Sequence, residues 1–323
     1  QMCIRDRTWA EATESYGTDK PDLRIDWRIE DLSDVLGGRG FGILDGAIAA
    51  GGRARGFVVP GGASLSRSRL DAINDAAREA GAKGALWMKC TEEGFTGPAA
   101  RAVDEETGPV LRSDFGLTAG DLLVLVAGPD SESSPALDAL RRQLGAELGA
   151  VAEGDRWVWV TDFPLFEADP ETGAPVASHH PFTMPVDVTP DALLADPFSV
   201  RSRAYDLVLN GTELASGSIR CHVPALQRAI LEVLGMTPEQ VDARFGFLLE
   251  AFRYGVPPHG GFALGLDRLV ALMVNVPSLR DVIAFPKTTA ARGLMEGAPS
   301  GVDDELLADL GIRLAAKRVA ADE

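Results

Sequence analysis

The dipeptide Asn210-Gly211 lies between two strand-like runs, "AYDLVL" and "TELASGSI". A two-residue connection of this kind closes a β-hairpin, because Asn and Gly accept the positive φ that a type I′ turn imposes at both central positions. The chain is thereby committed to an antiparallel pair across this turn. Counting by two from Asp206 places Asp206 and Val208 on one face of the first strand. Glu213, Ala215, Gly217 and Ile219 share a face of the return strand, with the register through the turn left open.

From about residue 155 onward the other apolar runs, "RWVWVTDFPLF" and "GFALGLDRLVALMV", are separated by Pro-rich loops, which predicts an antiparallel sheet carrying a helix. Residues of about 28 to 148 read differently, as short strands alternating with amphipathic helices. "ARGFVVPG" predicts a strand ending in a Pro-Gly turn, and "GALWMKC" and "DLLVLVAG" predict two more. "SRSRLDAINDAAREAGAKG" predicts a helix with Leu70, Ile73 and Ala77 on one face. "SSPALDALRRQLGAELG" predicts a second helix that starts at Ser134, has Pro135 in its first turn, presents Leu137, Leu140, Leu144 and Leu148 at helical spacing and stops at Gly149. The fold class is α+β, divided into 1–27, a self-contained 28–148 and 149–323. No G-x-G-x-x-G follows a strand and there is no Walker lysine, so dinucleotide and P-loop readings have no support.

Composition narrows the function. A net charge of −17 argues against wholesale polyanion binding, which needs many Lys and Arg to neutralise phosphates. No apolar run reaches the roughly 18 residues of a membrane span, and the N-terminus has no apolar signal region. Cys3, Cys90 and Cys221 are too few and too scattered for a disulfide framework, and no CxxC or HExxH spacing offers a metal cage. A reducing cytoplasm is the expected compartment.

The candidate chemistry lies after residue 155. Asp206 and Glu213 read either as solvated sheet charges or as two ligands for a hard cation, since Mg²⁺ on a nucleotide takes one or two carboxylates together with phosphate oxygens. The small residues Ala215, Ser216 and Gly217 would let a ligand approach the backbone. Arg220 at the strand end is a planar fork for a carboxylate or phosphate. His179 and His180 in "VASHHPFTMP" are loop histidines or part of a site, with no further metal ligands at suitable spacing. In "PPHGGFALGLDRLVALMV" a Gly-rich strand runs into a helix, with Asp267 suited to cap it. Arg268 there opposes the helix dipole, so the Asp267-Arg268 pair is either a surface ion pair or a seat for an anionic ligand.

"GGFALGLDRLV" resembles motif 3 of class II aminoacyl-tRNA synthetases. With "AYDLVLNGTELASGSIR", "SHHPFTMP", "FRYGVPPHGG" and "FPKTT", it looks like the catalytic domain of the bacterial aspartyl-tRNA synthetases. "TWAEATESYGTDKPDLR" resembles the segment that follows motif 2 in that family, and residues 28–148 resemble its inserted GAD domain. The resemblance implies a class II antiparallel catalytic sheet, begun within 1–27 and completed, with a C-terminal extension, by 149–323. It implies an ATP-dependent ligase that activates L-aspartate to aspartyl-adenylate and transfers it to tRNA(Asp), with tRNA(Asn) open as a second acceptor. ATP is the second substrate, with Mg²⁺, and the intact parent is a cytoplasmic homodimer.

By the same resemblance, Arg268 contacts the ATP phosphates within a nucleotide-binding stretch Gly265, Leu266, Asp267 and Arg268. Glu213 binds ATP through Mg²⁺ with Asp206 as a second cation ligand, Arg220 holds the side-chain carboxylate of aspartate, and His179 lies on the amino-acid site. Arg268, Glu213 and Arg220 are the catalytic set. In the family an anticodon-binding domain and motifs 1 and 2 precede "TWAEA", whereas seven residues do here, and "QMCIRDR" does not read like the family. The expectation is therefore a fragment with an unrelated leader and no activity alone. The alternatives are a non-catalytic synthetase paralogue or tRNA-dependent accessory protein, an isolated binding module, and a class II enzyme for asparagine or lysine.

Overall fold

The computed structural model describes residues 5–315, which fall into two units, Gln1–Leu264 and Gly265–Glu323. The first opens with β1 (Arg5–Thr8) and α1 (Trp9–Tyr16). Thr8 and Glu11 form a reciprocal capping box, each side chain accepting from the other's backbone N–H, which satisfies two otherwise orphaned helix donors. Gln1–Ile4 of the expected leader, with Cys3, lie outside the described residues. Its remainder is no appendage: Arg5 to Thr8 pair with Val158 to Thr161 in the sheet. Ladder pairing uses backbone groups alone, so a polar edge strand carries no hydrophobic signature.

The segment that follows builds its own sheet from β2 (Glu30–Asp31), α2 (Ser33–Leu36), α3 (Gly42–Ala49), β3 (Arg53–Val59), α4 (Arg67–Glu79), β4 (Leu86–Thr91), β5 (Gly94–Thr96), α5 (Thr107–Ser113), β6 (Leu122–Gly128) and α6 (Asp130–Glu147). The strand order is β2-β3-β6-β4-β5, antiparallel throughout. The run "LLVLVAG" is apolar on every residue to Ala127 because both faces are covered. Leu122, Val124 and Val126 pack with Phe57, Leu70, Ile73, Leu137 and Leu140, and Leu123 and Leu125 with Leu36, Leu44, Met88 and Leu111. α6 begins at Asp130, one turn before the Ser134 expected from sequence, so Pro135 sits inside it. Asp130 and Glu132 complement the dipole of that extra turn, and Arg53 donates to the Asp130 carboxylate.

The chain then returns to the first sheet through β7 (Trp157–Thr161), the ribbon β8 (Phe166–Ala168) and β9 (Pro175–Ala177), α7 (Pro190–Ala195), β10 (Ala204–Leu209), β11 (Thr212–Ile219), α8 (Pro224–Val233), α9 (Pro238–Phe252) and β12 (Gly260–Leu264). Its order is β1-β7-β10-β11-β12. The expected antiparallel sheet is mixed at one edge, because β1 and β7 run parallel. Parallel neighbours need a long crossover, and here the whole segment from α1 to α6 supplies it. Ala12 of α1 packs on Val158, Val160, Phe163, Ala204 and Val208 on one face of this sheet.

In the second unit α10 (Leu266–Val274) is capped by the backbone of Gly265 with no side-chain cap bond, and Asn275 ends it in the left-handed conformation. Asp267, expected as the cap, lies inside the first turn, where its charge favours the dipole. α11 (Asp304–Asp309) follows. Among the described residues, no helix is long and apolar enough to cross a membrane.

Candidate active site

Asn210 and Gly211 have φ of 50° and 80°, the type I′ geometry that the dipeptide predicts, and pair Leu209 with Thr212. The ladder then slips. Val208 pairs with Glu213, yet Leu207 pairs with Ala215, leaving Leu214 as the extra residue of a β-bulge. Simple alternation assigns Glu213 to the face of Ala215. The bulge reverses this: Glu213 opposes Val208 and so shares the face of Asp206, which itself opposes Ser216. One inserted residue brings the two carboxylates together.

They line a cavity of about 750 Å³ in the first unit, with His179, His180, Thr183, Ser216, Arg220 and the segment His259 to Ala263 around it. A further acid, Asp19, enters from the loop after α1. Arg220 follows β11. Its backbone N–H donates to His259 O at 2.8 Å and its guanidinium lies 5.9 Å from the Phe182 ring centroid. His179 packs against Phe163 with centroids 4.5 Å apart and the rings tilted by 53°, and His180 Nδ1 accepts from the Phe182 N–H at 3.2 Å. Burial and the Arg220 charge hold His180 below its ordinary pKa, which favours the neutral ring. Burial raises the pKa of the Cys221 thiol beside it, which disfavours the thiolate.

Asp206 is 3% exposed. Burial is the main cause that pushes its carboxyl above the usual aspartate range, with the charges of Glu213 and Asp19 adding to it. A Ser216 hydrogen bond and His179 act in the opposite direction. Its Oδ1 has no hydrogen-bond partner among the described residues. Two carboxylates, one with an unsatisfied oxygen, fit a hard cation that brings phosphate oxygens or water as its other ligands. Among the described residues no group of three or more His, Cys, Asp or Glu could hold a metal.

The cavity thus gathers four residues expected from sequence, Asp206, Glu213, Arg220 and His179. Gly265, Leu266, Asp267 and Arg268 belong to the second unit, at the start of α10, where the Asp267 and Arg268 side chains are exposed. Sequence reasoning missed Asp19, Thr183 and His259. Asp19 precedes the inserted segment and Asp206 follows it, so no local pattern joins them. The available signal was an acid in a loop bounded by Gly17 and Pro21.

The family described as tRNA synthetases class II (D, K and N) matches residues 1–289. The aspartate–tRNA(Asp/Asn) ligase of Bacillus cereus strain AH187 is 44% identical over 312 residues, 96% of this chain and 53% of that protein. The aspartate–tRNA ligase of Macrococcus caseolyticus is 44% identical over 309 residues, 95% of this chain and 52% of that protein. The chain spans about half the length of these curated relatives. Among solved structures, the aspartyl tRNA synthetase of Entamoeba histolytica aligns at 25% identity and a TM-score of 0.33, covering 48% of this chain and 26% of that one. On the match over residues 1–289, the chain belongs to the class II tRNA synthetase family of the D, K and N enzymes.

Proposed function

We propose that the protein to which this chain belongs is an aspartate–tRNA ligase, which activates L-aspartate with ATP and transfers it to tRNA(Asp). The observation that carries this reading is the cavity that sets Arg220 against Asp19, Asp206 and Glu213. A substrate with a side-chain carboxylate and an ammonium group matches both signs. Arg220 offers the carboxylate two parallel N–H donors, and Asp19 suits the α-ammonium group. Glu213 and Asp206 would hold Mg²⁺, which neutralises charge on the ATP phosphates. Gly265 to Arg268 form the nucleotide stretch with Arg268 on the phosphates, and His179 lies on the amino-acid site. The chemistry needs positioned charge rather than a covalent nucleophile.

In this reading residues 28–148 are a GAD-like insertion, and 149–323 complete the catalytic domain through motif 3. The protein works in the cytoplasm as a homodimer. The test is amino-acid-dependent ATP–pyrophosphate exchange by the full-length protein containing these residues, with aspartate, asparagine and lysine compared, followed by charging of tRNA(Asp) and tRNA(Asn). Exchange driven by aspartate alone is expected. Preference for asparagine or lysine would overturn the assignment of Arg220, and no exchange with any of the three would favour a non-catalytic paralogue.

A further inference from the structure

Outside the cavity, one guanidinium holds backbone carbonyls of the two segments that carry its acids. Arg142 lies on α6, within the segment that interrupts the first sheet. Its Nη2 donates to Lys20 O at 2.8 Å, and its Nη1 to Gly211 O at 3.3 Å. Lys20 is the neighbour of Asp19, and Gly211 belongs to the turn that sets the register of Asp206 and Glu213. The guanidinium is itself aimed, since Asp138, one helical turn back, accepts from Arg142 Nε at 2.9 Å. The adjacent Arg141, fully buried, donates to Asp22 O at 3.1 Å and Ile25 O at 3.0 Å in the same loop. The backbone is shaped to admit these contacts. A Cβ on Gly211 would lie 2.7 Å from Arg142 Nη1, and a Cβ on Gly145 would lie 2.7 Å from Ile25 Cδ1.

The two walls are 122 and 69 residues away from Arg142 in sequence, and loops with exposed backbone open readily unless tied down. We infer that Arg142 is a positioning residue of the site. The inserted segment sets the spacing of the Asp19 loop against the Asp206–Glu213 hairpin through this side chain, so that binding at the cavity depends on a residue that does not line it. The consequence for ligand affinity rests on the function proposed above, whereas the structural coupling does not.

Two measurements on the full-length protein separate these. In hydrogen exchange followed by mass spectrometry, Arg142→Gln is expected to speed exchange of both 17–25 and 209–213 by about tenfold, as the loss of hydrogen bonds from a charged donor implies. β3 and β6 should stay as protected as in the parent, which also shows that the variant folds. Asp138→Asn should loosen the same two segments less. In calorimetry with L-aspartate, Arg142→Gln should weaken binding by about tenfold and Arg142→Lys should recover part of it, because a cation remains but the fork does not. Exchange that changes in only one segment, or in neither, overturns the inference. So does loss of both segments with unchanged aspartate affinity. A parent that binds no aspartate defeats the functional reading instead, and the paired exchange then decides the positioning role alone.

Discussion

β6 and β10 are both the central strands of five-stranded sheets, and they are furnished differently. From Leu122 to Val126 no side chain of β6 is more than 1% exposed, and every one is apolar. On β10 the buried positions Ala204, Asp206 and Val208 alternate with half-buried Tyr205 and Leu207, and the middle one is an acid with an oxygen unpartnered among the described residues. Its neighbour β11 offers Ala215, Ser216, Gly217 and Ser218 where β3 offers Phe57 and Val59. Burying an unpaired polar group costs free energy that packing elsewhere must offset. Around β6 the inserted sheet therefore reads as a source of stability, although β3 buries Arg55 with its Nε unpartnered among the described residues. The first sheet reads as the place where stability is given up to hold charge in a cavity.

That contrast can be broken by substitution. The largest effect is expected at Phe57, 1% exposed and stacked on Trp27 with centroids 6.0 Å apart. Phe57→Ala should lower unfolding free energy by about 3 to 5 kcal/mol in urea titration. A loss under about 1 kcal/mol would mean that this sheet is not the stable half. Next, on the proposed function and in the full-length protein, is Arg220→Leu, which should reduce kcat/KM for aspartate by at least about a hundredfold while leaving the ATP KM little changed, because the substrate carboxylate would be left unmatched. If ATP binding fell instead, Arg220 would be a phosphate ligand.

Asp206→Asn should act in the opposite direction on stability. The folded carboxyl titrates above its unfolded value, so ionising it costs more in the fold than out of it, and stability that is present below the unfolded value of about 3.9 is lost as pH rises through the folded pKa. Thermal unfolding should therefore show the variant equal to the parent near pH 3 and, without ligand, more stable by on the order of 1 kcal/mol at pH 7. On the proposed function, it should also bind ATP with Mg²⁺ more weakly than the parent. A variant less stable at pH 7 would show that Asp206 is satisfied in the fold. The smallest effect is expected at Asn210, whose φ of 50° suits Asn better than Ala. Asn210→Ala should cost about 1 kcal/mol, visible as a shift in Tm. No shift would show that the turn does not set the hairpin.

Much of this was legible in the chain. The Asn210-Gly211 turn, the helix with Leu70, Ile73 and Ala77 inward, the apolar run of β6 and the strand-to-helix step from β12 into α10 follow from φ requirements and periodicity, which act over a few residues and are written locally. So do the residue types of the site, since a hairpin carrying Asp206 on one strand and Glu213 on the next, with Arg220 just beyond it, declares its charges. The face on which Glu213 stands was decided by a bulge, because whether Leu214 is accommodated or skipped depends on how β11 meets β10 and not on either strand alone. The parallel pairing of β1 with β7 and the arrival of Asp19 likewise join residues on opposite sides of the inserted segment, and the ties from Arg142 join that segment to both flanks. Local sequence determined the elements and their chemistry. Which carboxylates share a cavity was settled only when non-local strand pairing and close packing fixed the distances between them.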